Sequence, residues 1–176
     1  MINAYAGISP KADIVLLKSL AQKFGGKRFL HVNSTKEGGG VAEILQRMTP
    51  ILRGLGIETR WEVIQGDEPF FEITKKIHNA LQGNQERITN AMWEHYYQVN
   101  RENLDRLDLD ADCVFIHDPQ PAPLCDFRKR GTWVFRCHID VSNPAKGIYD
   151  HVSRYCKNYD GIIFSVARFA RAMAVD

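Results

Sequence analysis

Residues 28–43 read RFLHVNSTKEGGGVAE, and the reading of this stretch decides the fold. A short apolar run, Phe29-Leu30-His31-Val32, stops at a polar turn. Gly38-Gly39-Gly40 follow, and a helical pattern begins at Val41. The order is strand, loop, helix. Three consecutive glycines allow φ > 0 and let a ligand approach the main chain. The helix start beyond them offers unpaired N–H groups and the positive end of a dipole, which suit a phosphate or a sugar oxygen. The pattern is not G-x-G-x-x-G, and it lacks the Lys-Ser/Thr of a P-loop. Taken alone, the loop reads equally as a ligand contact or as a plain connector.

Working outward, strands and helices alternate. Before the loop, Ser9-Pro10 predicts a helix start with Ser9 as cap and Pro10 at the first helical position. Ile14, Leu17, Ala21 and Phe24 share one face, and Gly25-Gly26 end the helix. After the loop, the apolar side of the next helix carries Ile44, Leu45, Met48, Ile51 and Leu52, and it ends near Gly54. The sequence predicts strands over 28–32, 59–64, 112–116, 132–136 and 160–164. It predicts helices over 70–81, 85–107, 144–158 and 167–176. The alternation argues for one α/β domain, a Rossmann-like, doubly wound parallel sheet with helices on both faces. Ligands then bind beyond the carboxyl ends of the strands. The expected division is an N-terminal extension and helix, 1–27, packed on a Rossmann-like domain, 28–176.

Composition narrows the function classes. The 176 residues suffice for one domain with a real core, and 44% hydrophobic with 25% charged residues is a globular composition. The net charge of +2 gives no support to a nucleic-acid footprint. The one dense basic cluster, Arg128-Lys129-Arg130, precedes a glycine and a strand and reads as a solvated helix end. No apolar run reaches membrane-spanning length, and no secretory leader is visible. The four cysteines form no C-x-x-C pair, and Cys113 and Cys137 read as small core residues. These features suggest a cytoplasmic, reduced protein.

Three strand ends are unusually polar. Asn33 to Gly40 follow the first, His117-Asp118-Pro119-Gln120-Pro121 the third, and Arg136-Cys137-His138-Ile139-Asp140 the fourth. If the strand order brings them to one edge, they offer N–H donors, two histidines, two carboxylates and an arginine. That set suits a polyhydroxyl ligand, whose hydroxyls each need a donor and an acceptor. Asp118 reads as a recognition carboxylate or as the cap of a helix starting at Pro119 or Pro121. Arg136 and His138 lie two apart and share a side of an extended strand. A salt bridge to Asp118 or Asp140 would account for them structurally, a binding site functionally. His31, inside the first strand, reads as a satisfied core histidine. No H-E-x-x-H or Cys/His cluster suggests a metal, and no G-x-S-x-G suggests a hydrolase.

The stretches HVNSTKEGGGVAEIL (31–45), IHNALQGN (77–84), VNREN (99–103), HDPQP (117–121) and RCHID (136–140) together resemble the N-terminal half of trehalose synthases of the glycosyltransferring type. These are retaining GT-B enzymes of glycosyltransferase family 4, and the resemblance covers roughly 28–164. It implies an acceptor-sugar-binding domain facing a second, donor-binding domain across a cleft. Glucose would pass from a nucleotide-sugar to free glucose, with no cofactor or metal. It implies that Gly38, Gly39 and Gly40 lie beside the donor phosphates and acceptor. Asp118 would bind the acceptor, with Arg136 in support and His138 near the transferred sugar as the catalytic candidate; the polar strand ends add His117 and Asp140, so that the substrate-binding candidates are Gly38, Gly39, Gly40, His117, Asp118, Arg136 and Asp140. A donor half is not expected within these residues, so the chain alone should be inactive. Alternatives are a trehalose phosphorylase, half of a split enzyme, or a non-catalytic sugar-binding or self-associating remnant.

Overall fold

In the computed structural model, which describes residues 2–172, five parallel strands form one sheet in the order β2-β1-β3-β4-β5. The strands are β1 Arg28–Asn33, β2 Glu58–Val63, β3 Cys113–His117, β4 Thr132–Cys137 and β5 Gly161–Phe164. The helices are α1 Lys11–Lys23, α2 Gly40–Gly54, α3 Glu68–Leu81, α4 Asn90–Glu102 and α5 Lys146–Cys156. Short 3-10 segments occupy Ile2–Tyr5, Asn103–Asp105, Ala122–Phe127 and Ala167–Ala172. This is the expected α/β class with a parallel, Rossmann-like sheet.

The alternation of side chains along the strands builds two cores. Leu30 and Val32 of β1, Val114 and Ile116 of β3, and Trp133 and Phe135 of β4 enter the larger one. There they meet Phe70, Ile77, Tyr96 and Val152 from α3, α4 and α5. Complete burial of a side chain such as Leu30 contributes about 1.5–3 kcal/mol. Residues of the opposite parity, Phe29, Cys113 and Phe115, form the smaller core with Ala21 of α1 and with Ile57. Cys137 is fully buried as expected, whereas Cys113 is only half-buried.

Several local expectations are corrected. The pattern over 85–107 is not one helix. The Thr89 hydroxyl accepts the Met92 N–H at 3.3 Å and starts α4 there. At the other end, Asn103 leaves the helix to bond both main-chain groups of Gln65 at 2.7 Å. Helix α3 begins two residues early, because Asp67 caps it by accepting the Phe70 N–H at 2.9 Å. Pro10, not Ser9, occupies the cap position of α1. Of the face expected to be inward on α1, Ala21 is buried, Ile14 and Leu17 are half-buried, and Phe24 is exposed. The last segment is 3-10 over Ala167–Ala172, and the rest of that expected helix lies outside the described residues.

The amino edge of the sheet is saturated by ion pairs. Arg28 meets Asp110 at 3.1 Å, Arg60 meets Asp108 at 2.8 Å, Arg128 meets Asp160 at 3.0 Å, and Arg130 also pairs with Asp110. Arg128 and Arg130 are thus held by carboxylates rather than sitting on a solvated helix end. These pairs are part-exposed, so solvent screens them and each contributes little to stability.

Candidate functional site

The strand order places the polar loops side by side. From β1 the chain leaves toward β2, and from β3 it leaves the other way toward β4. The two exits diverge, so a crevice opens beyond the carboxyl ends of β1 and β3, the switch point where such sheets take ligands. β4 is the next strand along. The three loops singled out in the sequence therefore share one edge.

The glycine loop is braced from below. Asn33, buried at the end of β1, accepts from Trp61 Nε1 at 2.8 Å and donates to the Thr35 carbonyl at 2.7 Å. Thr35 Oγ1 donates to the Glu37 carbonyl at 2.6 Å, and Gln46 of α2 donates to the Lys36 carbonyl at 3.0 Å. Above this base the loop is exposed. Gly39 caps α2 at φ 84° and ψ 152° with no side chain to take up the first N–H groups. A Cβ at Gly38, Gly39 or Gly40 would meet nothing within 4 Å. Conformation, not crowding within this chain, requires glycine at Gly38 and Gly39, where φ is 71° and 84°.

Asp118 is the one described non-glycine residue with positive φ, at 62°. That costs on the order of 1–2 kcal/mol for an L-residue, with Asp among the more tolerant types. Two bonds to β4 hold it there. Its N–H donates to the Arg136 carbonyl at 3.0 Å, and its Oδ1 accepts the His138 N–H at 2.7 Å. It caps no helix: the 3-10 segment starts at Ala122, behind Pro121. Burial pushes the Asp118 carboxyl up to about 6, against the opposing pull of the His138 N–H and Arg136.

Three histidines run in line toward this edge. His31 Nδ1 lies 3.0 Å from His117 Nε2, and His117 Nδ1 lies 3.0 Å from His138 Nε2. The rings of His117 and His138 stack at 5.3 Å, and His31 stacks on Phe115 at 4.7 Å. Burial lowers His31 to about 4; burial and the neighbouring Arg136 lower His138 to about 4. His117, between two imidazoles and near Arg136, is lowered further. His31 is therefore no satisfied core histidine: its Nε2 is buried without a partner.

Arg136 makes neither expected salt bridge. Its Nη1 donates to the Cys137 and Ile163 carbonyls, both at 3.1 Å, and Nη2 donates to Ser165 Oγ at 3.2 Å. It ties β4 to the end of β5 while its charge acts on His117, Asp118 and His138. Asp140 is not drawn into the cluster. Its Oδ1 accepts from the Ser142 N–H and hydroxyl at 3.0 and 2.6 Å, which holds its carboxyl low and leaves Oδ2 for other contacts.

Sequence reading passed over the residues that hold the 117–122 loop down. Tyr96 Oη donates to the Pro119 carbonyl, Asn100 Nδ2 to the Gln120 carbonyl at 3.0 Å, and Tyr159 Oη to the Ala122 carbonyl at 2.8 Å. The available signal was Asn100, a polar residue directly after Val99 on the apolar side of the helical pattern; its complete burial is seen only in the structure. Among the described residues no group of three or more His, Cys, Asp or Glu is arranged to hold a metal ion. Nor is any helix long and apolar enough to cross a membrane.

The edge thus combines bare N–H groups, a carboxyl acceptor and an imidazole within a doubly wound α/β domain, a set that can pair with the hydroxyls of a sugar. Residues 31–171 match the family described as "Trehalose synthase, N-terminal domain", and the chain belongs to that family. Its fold accordingly corresponds to the N-terminal domain of a GT-B glycosyltransferase. The chain is 45% identical over 173 residues to the trehalose synthase of Pyrococcus horikoshii, covering 97% of this chain and 42% of that protein. It is 40% identical over 160 residues to the trehalose synthase of Rubrobacter xylanophilus, covering 87% and 38%. A trehalose phosphorylase of Pleurotus sajor-caju is 29% identical over 126 residues, covering 63% of this chain and 17% of that protein. The chain spans less than half the length of the curated relatives it matches.

Proposed function

We propose that the chain is the acceptor-sugar-binding domain of a retaining glycosyltransferase that joins the glucose of a nucleotide-sugar to free glucose, forming trehalose. The observation that carries this reading is the convergence of the glycine loop, Asp118 and His138 on one crevice edge. The higher identity and coverage shared with synthases favour a synthase over a phosphorylase.

In this reading the Asp118 carboxylate accepts hydrogen bonds from acceptor hydroxyls, and His138 meets the transferred sugar. The bare N–H groups of Gly40 and the residues after it face the donor phosphates. His117 and Arg136 support this set from behind, and Asp140 contributes at most its Oδ2. The nucleoside diphosphate leaves while the acceptor hydroxyl attacks the same face of the donor sugar, and that hydroxyl's proton goes to the departing phosphate oxygen. Most donor contacts come from residues outside this chain, so these 176 residues alone turn over negligibly.

The test is a glucose titration followed by NMR shifts, with trehalose in parallel. Saturable binding should weaken at least tenfold in Asp118→Ala, with far-UV circular dichroism unchanged. Asp118→Asn keeps an acceptor for the His138 N–H and separates loss of charge from loss of the loop. Unaltered glucose affinity in Asp118→Ala would remove the acceptor role, and trehalose synthesis by this chain alone would refute the half-site reading.

A further inference from the structure

The line from His31 through His117 to His138 constrains where its protons sit. A hydrogen bond between two neutral imidazoles needs one N–H and one bare nitrogen. His117 uses both of its nitrogens, so one end donates and the other accepts. The three rings must then share a tautomer: all carry the proton on Nδ1, or all carry it on Nε2. The inner end decides between them. His31 Nε2 is buried without a partner, and it is a bare acceptor in the first arrangement and an N–H donor in the second. Orphaned buried donors are rarer in folded proteins than under-satisfied acceptors, so the first arrangement is favoured. At the outer end His138 is half-buried, and no hydrogen bond among the described residues engages its Nδ1 while Nε2 is occupied by His117.

We infer that His31 and His117 are positioning residues that hold His138 as a neutral imidazole with its proton on Nδ1, so that the ring offers an N–H donor, not a lone pair, at the crevice edge. Burial of all three rings keeps them uncharged near neutral pH. The benefit to an acceptor sugar rests on the function proposed above; the proton arrangement itself does not. Beside it, the Asp118 carboxylate supplies the complementary acceptor, so one sugar hydroxyl could meet both. The other groups facing the line are Arg136, whose guanidinium is held by β5, and the ring of Phe115.

Long-range proton–nitrogen correlation NMR of the uniformly 15N-labelled chain reads each imidazole tautomer directly. The expected pattern is protonated Nδ1 and bare Nε2 in all three rings, unchanged from pH 7.5 to 6. In His31→Phe the donor to His117 is lost, and His138, two hydrogen bonds away, should lose its single tautomer. In His31→Asn a side-chain amide sits near the former Nδ1 and should restore the pattern. A merely structural His31 would not move the His138 tautomer. A protonated Nε2 on any of the three rings in the unaltered chain overturns the inference. So does an unchanged His138 pattern in a folded His31→Phe chain. If His31→Phe does not fold, the unaltered chain and His31→Asn decide. Failure to bind glucose would count against the acceptor reading and leave the tautomer result standing.

Discussion

Acidification should destabilise this domain before its lowered carboxyls titrate. His31 and His117 have folded pKa values lowered to about 4 and about 2, against an ordinary 6.5. Below pH 6.5 the unfolded chain takes up two protons that the folded chain cannot, so stability falls with pH. Between pH 6.5 and 5, at 1.36 kcal/mol per proton and pH unit, the two histidines together cost about 3 kcal/mol. Asp118 acts in the opposite sense. Its folded value, raised to about 6 from 3.8, means that the folded chain gains its proton first. That returns about 1 kcal/mol over the same interval, leaving a net loss of about 2 kcal/mol. Half-exposed His138, His78 and His151, all lowered, add in the direction of the loss. The lowered carboxyls at the amino edge, Asp110 and Asp160, matter only below about pH 4. The assay is urea unfolding at fixed pH values from 7.5 to 5. In His31→Phe/His117→Phe the slope at pH 5 should fall by close to two protons, about 2–3 kcal/mol per pH unit. A flat profile in the unaltered chain, or an equal slope in the double variant, would refute the claim that buried neutral imidazoles govern acid stability.

Gly39→Ala places a side chain in a backbone region that is nearly glycine-only, with open space around it; a loss of about 1–3 kcal/mol is expected in urea unfolding. If the loop faces donor phosphates, the same variant should impair a longer enzyme containing this domain more than its stability loss explains. Tyr96→Phe removes one of two donors to the Pro119 carbonyl, the other being the Ala122 N–H at 3.1 Å. A loss of about 1 kcal/mol is expected, with the fold retained. Trp61→Phe deletes the 2.8 Å bond to Asn33. Amide exchange over residues 33–37 should accelerate while exchange in β3 and β4 stays unchanged.

How much was legible depended on the range of the interactions concerned. The strands β1, β3 and β4 could be read because short apolar runs bounded by polar turns are a local pattern. The helix over 85–107 was misread because a side-chain cap at Thr89 and a distant partner for Asn103 ended it, and neither leaves a mark on periodicity. Asp118, His138 and the glycines stood out because polar residues interrupt apolar patterns there. Arg136 was legible as unusual but not in its contacts, since Ile163 and Ser165 lie on another strand and the loop after it. His31 was misread for the same reason, its partner lying 86 residues away.

By itself the sequence determined the alternation of strand and helix, the α/β class, the positions of the polar strand ends and membership of a family. Each is written in neighbouring residues or in short motifs. Only the tertiary structure decided that β1, β3 and β4 lie side by side. It alone set Asp118 against the His138 main chain, turned Asp140 back on its own loop and joined three histidines into one line. Those outcomes depend on strand order and on contacts between residues far apart in the chain, and no local pattern of side chains encodes them.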